Sequence, residues 1–425
     1  MLLSLLLGKL VQKGTLTVVG ANGKSRTFGD GHEPEVTVRL HKRSLETKLF
    51  LNPCLYLGEA YMDGTLTIEQ GTMMEFLCIV TKNLSEAESL PLYHTYDKIC
   101  RMLRFLQQYN PVGRSKDNVA HHYDISNKLY RMFLDDDLQY SCAYFKNPDD
   151  DLETAQTNKK LHIASKLLLE PGQRILDIGS GWGGMALFLA NAGAGHVTGL
   201  TLSEEQLRMS RKRAADTGME KAVDFKLLDY RLQTGKFDRI VSVGMFEHVG
   251  VHHYREFFTK VRELLTDDGV CLLHSIGRKD GPSSTCAWIR KYIFPGGYSP
   301  SLSEVLAATE DCGLWVTDIE ILRLHYAKTL NNWQARFQAN RDKVRDMFDE
   351  RFCRMWEFYL GLSEAAFVYG DHLVFQMQIA KKRDAVPLTR DYQFDWEGQA
   401  EQNMDKGLSP LQVSKAGGKG KEHAA

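Results

Sequence analysis

The chain has 425 residues, of which 43% are hydrophobic, and its formal net charge is −1. This length allows two or three domains with their own cores, and the near-zero charge leaves only local basic contacts, so we expect no nucleic-acid partner. The eight cysteines form no Cys-x-x-Cys pair, which argues against a disulfide framework and a zinc site and fits a reducing, cytoplasmic compartment.

Residues 1–112 are predicted to form a small α+β domain. Leucines at helical spacing between Leu2 and Val11 indicate an amphipathic helix that is too short to span a membrane. Packing of this helix on its own domain is favoured over membrane contact. The sequence predicts strands over 15–19 and 35–41 and helices over 45–61, 72–82 and 92–109.

A basic segment ends this domain. Between Lys98 and Lys116 there are five basic residues and no acidic one, interleaved with apolar side chains. Such a helix suits an anionic membrane surface, and it equally suits a solvated face beside a linker. The turn-forming residues Asn110 to Gly113 predict the domain boundary.

Residues 113–386 are predicted to form an α/β domain with a doubly wound, mainly parallel sheet. Strands are expected over 175–178, 197–200, 224–228, 238–243 and 270–275, with closing strands over 316–326 and 372–379. Helices are expected between the strands, including one over 161–169, and a long aromatic-rich helical stretch over 330–367. The polar sequence from 387 to 425 predicts a disordered tail.

The most informative feature is the glycine turn that follows the first of these strands. Asp177 ends the strand, and Gly179, Gly181 and Gly183 precede a helical pattern, a geometry that lets a backbone approach a nucleotide-like ligand. The Asp177 carboxylate would repel a pyrophosphate but suits the ammonium group of S-adenosylmethionine (SAM). The next strand carries no acid where an NAD site expects one, and no Gly-Lys-Ser/Thr phosphate loop is present. A SAM-dependent methyltransferase is the leading interpretation, and an ordinary tight turn is the alternative.

Four motifs surround this turn: Tyr-Ser-Cys-Ala-Tyr at 140–144, Asp-Ile-Gly-Ser-Gly-Trp-Gly-Gly at 177–184, Gly-Met-Phe-Glu-His-Val-Gly at 244–250 and Leu-Leu-His-Ser-Ile-Gly at 272–277. Together they closely resemble the cyclopropane-fatty-acid synthase family, which includes the mycolic acid cyclopropane synthases. The resemblance covers residues 117–383 well and extends more weakly into the first domain through residues 57–64. It implies a Rossmann-like SAM-dependent methyltransferase domain behind a lipid-engaging N-terminal domain.

The resemblance also implies a reaction on the cis double bond of an unsaturated phospholipid acyl chain. Addition of the SAM methyl group gives a carbocation, which loses a proton to a bound bicarbonate ion and closes to a cyclopropane ring. The residues carried over for bicarbonate are Glu247, His274 and Tyr326 by side chain, with Cys142 and Ile276 mainly by backbone groups. Tyr123 is the aromatic side chain expected beside the cation.

For SAM, the resemblance places residues along the whole ligand. The set comprises Tyr140 and Ser141 near the amino-acid end, Asp177, Gly179, Gly181, Trp182 and Gly183 around the methionine part, Thr201 and Gln206 at the ribose, and Asp229 and Tyr230 at the adenine. No metal is expected, because His248, His252 and His253 have no carboxylate or cysteine at ligand spacing.

The sequence leaves other products and activities open. Loss of a different proton from the cation would give a methylene- or methyl-branched chain. A small-molecule O- or N-methyltransferase and a non-enzymatic lipid-binding protein are further alternatives, both disfavoured by the Glu247, His274 and Tyr326 set. The family resemblance implies a cytoplasmic enzyme held peripherally at the inner face of the membrane, and some relatives suggest a homodimer.

Overall fold

The computed structural model describes residues 2–83 and 127–411. The predicted domain boundary near residue 112, the basic segment from Lys98 to Lys116 and the predicted site residue Tyr123 lie outside these ranges. The division of the chain into domains at residue 112 therefore stays a prediction.

A four-stranded sheet with the order β2-β1-β3-β4 lies at the centre of the N-terminal part. The strands are β1 (Thr15–Val19), β2 (Ser25–Gly29), β3 (Glu35–Leu40) and β4 (Leu66–Gln70), and the helices are α1 (Leu2–Leu10), α2 (Arg43–Leu51), α3 (Pro53–Met62) and α4 (Met73–Lys82). Strand β1 is parallel to β3, and the other pairs are antiparallel. Because side chains alternate along a strand, Val36, Val38 and Leu40 of β3 enter the core together.

The sequence prediction missed β2 and β4 in this part. Most residues of β2 are exposed, so the strand has no apolar alternation to reveal it, and its pairing with β1 depends on backbone hydrogen bonds. The predicted N-terminal helix is confirmed, with Leu3 buried. Leu2 and Leu5 of the same helix are 56% and 60% exposed.

A seven-stranded sheet with the order β10-β11-β9-β8-β5-β6-β7 forms the second part. Its strands are β5 (Gln173–Ile178), β6 (Gly195–Thr201), β7 (Val223–Leu227), β8 (Phe237–Val243), β9 (Leu265–Arg278), β10 (Trp315–Ile321) and β11 (His372–Ala380). Strands β5 to β9 are parallel, whereas β11 runs antiparallel to both β9 and β10. The predicted doubly wound sheet is confirmed, and its order reverses at β5, where a ligand crevice is expected.

Helices cover both faces of this sheet. They are α5 (Asn127–Phe133), α6 (Leu152–Lys166), α7 (Gly184–Asn191), α8 (Glu204–Asp216), α9 (Tyr254–Leu264), α10 (Ala287–Tyr292), α11 (Leu302–Glu310), α12 (His325–Ala339), α13 (Arg341–Met347), α14 (Glu350–Val368) and α15 (Asp391–Asp405). Helix α6 begins at Leu152, well before the predicted start at residue 161, and the side chain of Asp151 caps this earlier start. Within the two described ranges, no helix is long and apolar enough to cross a membrane.

The predicted closing strand over 316–326 is too long. Strand β10 ends at Ile321, and the chain turns at Arg323, whose φ is +23°. The His325 N–H donates to the Leu322 carbonyl at 3.0 Å. Tyr326 therefore lies in the first turn of α12 and not in the sheet.

The predicted disordered tail is wrong for residues 391–405, which form helix α15. Its buried residues are Gln393, Glu397, Ala400 and Asn403, which follow helical spacing on the face toward the protein. This face is held by polar contacts, such as the 2.6 Å contact of Glu397 Oε1 with His162 Nδ1. The sequence of this helix therefore has no continuous apolar face that would distinguish it from a disordered tail.

The N-terminal part packs against the second part through α3. Trp288 of α10 is fully buried, and its Nε1–H lies 3.1 Å from Met62 Sδ. Polar contacts surround this ring, including the Tyr61 hydroxyl that donates to Glu357 at 3.0 Å. A Cβ atom on Gly58 would lie 2.4 Å from Trp288 Nε1, so only glycine permits this approach of α3.

Gly58→Ala is expected to lower the free energy of unfolding by about 1–3 kcal/mol, since the methyl group overlaps a buried ring. Gly8→Ala is the matched control on α1, where a Cβ atom would meet only Phe28 Cδ1 at 3.9 Å. Urea unfolding of both variants measures the difference. Equal stability of the two variants would contradict the close packing of Gly58 on Trp288.

Candidate functional site

A pocket opens at the carboxyl ends of β5, β6 and β8, where the strand order reverses. Ten of the residues predicted for SAM line it: Tyr140, Ser141, Asp177, Gly179, Gly181, Trp182, Thr201, Gln206, Asp229 and Tyr230. Gly183 stands behind the wall, where a Cβ atom would lie 2.7 Å from the Phe225 ring. Gly183 does not face into the pocket, and its role is to let the glycine turn pack closely against the Phe225 ring.

The glycine turn between β5 and α7 forms the floor of the pocket. The N–H groups of Gly179 and Ser180 both donate to the Leu200 carbonyl, at 3.0 and 2.8 Å, and hold the turn against β6. Gly179 has φ +86°, and a Cβ atom there would lie 2.8 Å from Met245 Cβ. Gly181 has φ +53° and open space above it, so the turn leaves room for a ligand against the backbone.

Asp177 supplies the negative charge of the pocket. Its side chain is buried, and burial raises the pKa of this carboxyl to about 7, against the opposing effect of the Lys159 ammonium. Its Oδ2 atom is also buried and has no hydrogen-bond partner among the described residues. A cationic group in the pocket would satisfy this oxygen and restore the ionised carboxylate, which fits the ammonium end of SAM.

The far end of the pocket is built from β6, α8 and the loop after β7. The Thr201 hydroxyl lies 2.8 Å from Gln206 Oε1 and donates to it, which leaves the Gln206 amide nitrogen as a donor for a ribose hydroxyl. Asp229 accepts hydrogen bonds from the Arg231 backbone N–H and from its guanidinium, at 2.7 to 3.0 Å. This pairing fixes the loop that carries Tyr230, where the adenine is expected.

Two residues of the Tyr-Ser-Cys-Ala-Tyr motif close the pocket from the other side. The Tyr140 ring stacks on Trp333 with centroids 5.2 Å apart, and its hydroxyl lies 2.7 Å from that of Tyr359. Ser141 Oγ accepts a hydrogen bond of 2.9 Å from Lys159 Nζ. The motif thus joins the pocket to an aromatic cluster on one side and to a buried cation on the other.

Lys159 is a buried charged side chain next to Ser141 that sequence reasoning missed. It is fully buried, and desolvation lowers the pKa of its amine to about 8. Its charge acts on the pKa values of Asp177, Cys142 and His274 together. No sequence signal separates it from the neighbouring Lys160, because both lie in an ordinary polar stretch of α6.

Glu247 and Ile276 lie together beside this pocket. The Ile276 N–H donates to Glu247 Oε1 at 2.7 Å, whereas Glu247 Oε2 is buried and has no hydrogen-bond partner within the described ranges. Burial raises the pKa of Glu247 to about 7, and the hydrogen bond from Ile276 opposes this shift. The Ile276 N–H therefore holds the carboxylate through Oε1.

His274 precedes Ile276 by two residues on β9, so both side chains lie on the same face of the sheet. Burial lowers the pKa of the imidazole well below its usual value, with further lowering by Lys159. The ring is accordingly neutral at physiological pH. Its Nδ1 atom lies 3.2 Å from Gln376 Nε2.

Cys142 lies in the loop between α5 and α6, and Tyr326 lies in the first turn of α12. The Ala143 N–H donates to Thr329 Oγ1 at 3.0 Å, which fixes the Cys142 backbone against the helix that carries Tyr326. Burial raises the pKa of the Cys142 thiol, so this cysteine is not a nucleophile at neutral pH. The Tyr326 ring lies 4.9 Å from Phe367 and 5.8 Å from Trp333, so it packs in the aromatic cluster that also holds Tyr140.

The three histidines after Glu247 have other contacts. The His248 ring lies 5.8 Å from the Phe294 ring. His253 Nδ1 lies 2.8 Å from Glu256 Oε2. His248 thus has an aromatic partner and His253 a polar one.

Known proteins match both parts of the chain. A family model described as mycolic acid cyclopropane synthetase matches residues 112–377. A second family model, described as a domain of unknown function, matches residues 4–88. The chain is 37% identical to a probable fatty acid methyltransferase of Pseudomonas putida, over 81% of this chain and 86% of that protein. It is also 37% identical to the cyclopropane-fatty-acyl-phospholipid synthase of Escherichia coli strain K12, over 77% of this chain and 83% of that protein.

A solved structure has the same fold. It is mycolic acid cyclopropane synthase CmaA1 complexed with SAH and CTAB, which superposes with a TM-score of 0.59 at 34% sequence identity. The match covers 64% of this chain and 99% of that one.

SAM affinity is expected to weaken as the pH falls below about 7. A proton and the ligand ammonium compete for the Asp177 carboxylate, whose pKa is raised to about 7 without ligand. Each pH unit below this pKa therefore raises the Kd for SAM by up to about tenfold. Calorimetric titration with SAM at about pH 6, 7 and 8 measures this. Asp177→Asn should bind weakly at every pH and lose this part of the pH dependence. An unchanged wild-type Kd over the range would contradict the assignment.

Proposed function

The chain belongs to the mycolic acid cyclopropane synthetase family and is a SAM-dependent methyltransferase, and from this premise we propose that it forms cyclopropane rings on unsaturated phospholipid acyl chains. The observation that carries this proposal is the buried carboxylate of Glu247, which is held through one oxygen by Ile276 while its other oxygen has no partner among the described residues. In the proposed reaction, this carboxylate would hold the base that removes a proton from the added methyl group.

SAM, when bound, supplies an electrophilic methyl group on a sulfonium centre. Asp177 would hold its ammonium group, and the open space at Gly181 would admit the methionine part against the backbone. Thr201 orients Gln206 toward the ribose. These residues bind and orient the methyl donor, and none of them needs to take part in the bond changes.

A carbocation on the acyl chain needs surroundings that are poor in nucleophiles and rich in aromatic faces. The stacked rings of Tyr140 and Trp333 and the ring of Tyr326 supply such faces beside the pocket. The raised pKa of the Cys142 thiol, which is caused by burial, keeps the nearest sulfur protonated. Tyr123, which lies outside the described residues, is proposed to add a further ring.

The added methyl group must lose a proton before the ring can close. Bicarbonate, when bound beside Glu247, would supply the base for this step. Glu247 Oε2 would accept a hydrogen bond from the anion, and the neutral His274 and Tyr326 would donate to its oxygens. The backbone near Cys142 and Ile276 would complete the contacts, as the family resemblance implies.

A second candidate is a branch-forming fatty-acyl methyltransferase that uses the same site. The relative from Pseudomonas putida, which is named a probable fatty acid methyltransferase, favours this candidate. The two functions share the methyl transfer and the first cation. The ring closes when the added methyl group loses a proton, whereas a methylene branch forms only after a hydride has moved from the methyl-bearing carbon to the cationic carbon.

The proposed substrate lies in a bilayer, so the enzyme is proposed to act by peripheral contact with the inner face of the membrane. The exposed Leu2 and Leu5 on α1 support a role of the N-terminal part in this contact. A homodimer, which the family resemblance suggests, stays part of the proposal.

The product assay that tests the function combines purified full-length protein, SAM and vesicles of cis-unsaturated phospholipid. We expect upfield cyclopropyl protons in the NMR spectrum of the released fatty acids, together with a mass increase of one CH₂ group. Vinylidene protons at the same mass would favour the branch-forming candidate. SAM binding without any lipid product would refute both.

Glu247→Gln is expected to lower turnover by about 100-fold or more while SAM affinity stays within about twofold, because it alters the proton-accepting site and not the SAM pocket. Product formation and SAM titration are measured on the same preparation. Glu256→Gln, at an exposed residue of the neighbouring α9, is the control and should retain activity. A parallel loss of SAM affinity in Glu247→Gln would contradict the assigned role.

A further inference from the structure

His274 is fixed by a neighbour on the next strand. Strand β11 pairs with β9 so that Gln376 lies directly opposite His274, and both side chains are almost completely buried. Gln376 Nε2 lies 3.2 Å from His274 Nδ1. Whether the ring accepts or donates in this contact depends on which end of the Gln376 amide faces it.

Lys166 decides the orientation of that amide. Its Nζ atom lies 2.6 Å from Gln376 Oε1, and an ammonium group can only donate hydrogen bonds. The amide oxygen must therefore face Lys166, and the NH₂ group must face His274. Because NH₂ donates, His274 Nδ1 has to accept and carries no proton.

Burial lowers the pKa of the Lys166 amine, and the half-buried carboxylate of Glu320 opposes this shift. Lys166 Nζ donates to Glu320 on β10. Burial works against ionisation of Glu320, but the hydrogen bond with His162 and the charge of Lys166 outweigh it and lower its pKa to about 2. Glu320 is thus ionised at any physiological pH and favours the ammonium form of Lys166.

The same network extends to the C-terminal helix. Glu320 Oε2 lies 2.6 Å from His162 Nε2, and Glu397 of α15 lies 2.6 Å from His162 Nδ1. The line of contacts from α15 to His274 therefore passes through α6, β10 and β11. Each member is held on two sides, which leaves the Gln376 amide little freedom to rotate.

We propose that Lys166 and Gln376 are positioning residues that fix His274 as the neutral tautomer with its proton on Nε2. The ring then offers a donor on the side away from Gln376, as contact with an anion requires. The value of this donor for catalysis rests on the proposed function, whereas the tautomer itself does not. Neither residue needs to touch the substrate or the cofactor.

The tautomer is measured by NMR on the full-length protein labelled with ¹⁵N in histidine. Signals of His274 are assigned by their loss in His274→Asn. We expect a protonated Nε2 and an unprotonated, accepting Nδ1 in the wild type. A protonated Nδ1 would overturn the proposal.

Gln376→Glu is the decisive variant, because a carboxylate there would accept from Nδ1–H and reverse the tautomer. Turnover should fall by about tenfold or more with SAM affinity unchanged. An Nδ1 atom that stays unprotonated in this variant, or protonation of Nδ1 without loss of turnover, would overturn the proposal. Lys166→Met should give a mixture of tautomers, since the Gln376 amide is then able to turn over.

Gln378→Glu is the matched control on the same strand and face. Gln378 Nε2 donates to the Lys166 carbonyl at 2.6 Å and lies 2.8 Å from the Tyr392 hydroxyl. Like Gln376→Glu, this variant buries a carboxylate, so we expect both variants to be less stable than the wild type. Gln378→Glu should nevertheless keep the wild-type tautomer of His274. Failure of the proposed function would be seen separately, because the wild-type enzyme would then make no lipid product. The tautomer of His274 is measured without SAM or lipid, so that result does not depend on the proposed function.

Discussion

The structure depends on keeping ionisable groups out of water near the carboxyl ends of the central strands of the large sheet. Asp177 and Glu247 each have a pKa raised to about 7 by burial, and desolvation lowers the pKa of Lys159 to about 8. Groups whose pKa lies this close to neutral pH change their charge when a ligand of opposite charge binds beside them. Their burial costs free energy, which the apolar packing on both faces of the sheet has to offset. The same burial makes every polar contact inside the pocket stronger than it would be in water.

Aromatic packing supplies much of this offset and joins the two parts of the chain. Trp288, Trp333 and Trp356 are fully buried in one cluster that includes side chains from α3, α4, α12 and α14. Tyr140, which lines the pocket, stacks on Trp333 in this cluster. The N-terminal part therefore supports the wall of the pocket and is not a loosely attached module. The aromatic wall of the pocket and the packing of α3 and α4 therefore belong to one core.

The sequence was sufficient where a short motif dictates both backbone and chemistry. Short apolar runs predicted the parallel strands, and the glycine spacing after Asp177 predicted the pocket floor, since those features are local. Features that depend on distant partners were not predictable. Gln376 and Lys166 acquire their roles through pairing of β11 with β9 and packing of α6 on the sheet, and α15 is held by polar contacts such as that of Glu397. Composition cannot show which polar residues will find partners.

The antiparallel insertion of β11 between β9 and β10 has a consequence for synthesis on the ribosome. The strands that form the SAM pocket are complete by residue 243, whereas the edge of β9 that bears His274 stays unpaired until residues 372–380 have emerged. A chain that is still growing can therefore fold its pocket floor well before His274 has its partner Gln376. Until then β9 is an open edge, able to pair with the wrong strand. The late strand thus closes the open edge of β9 and brings Gln376 beside His274 in the same step.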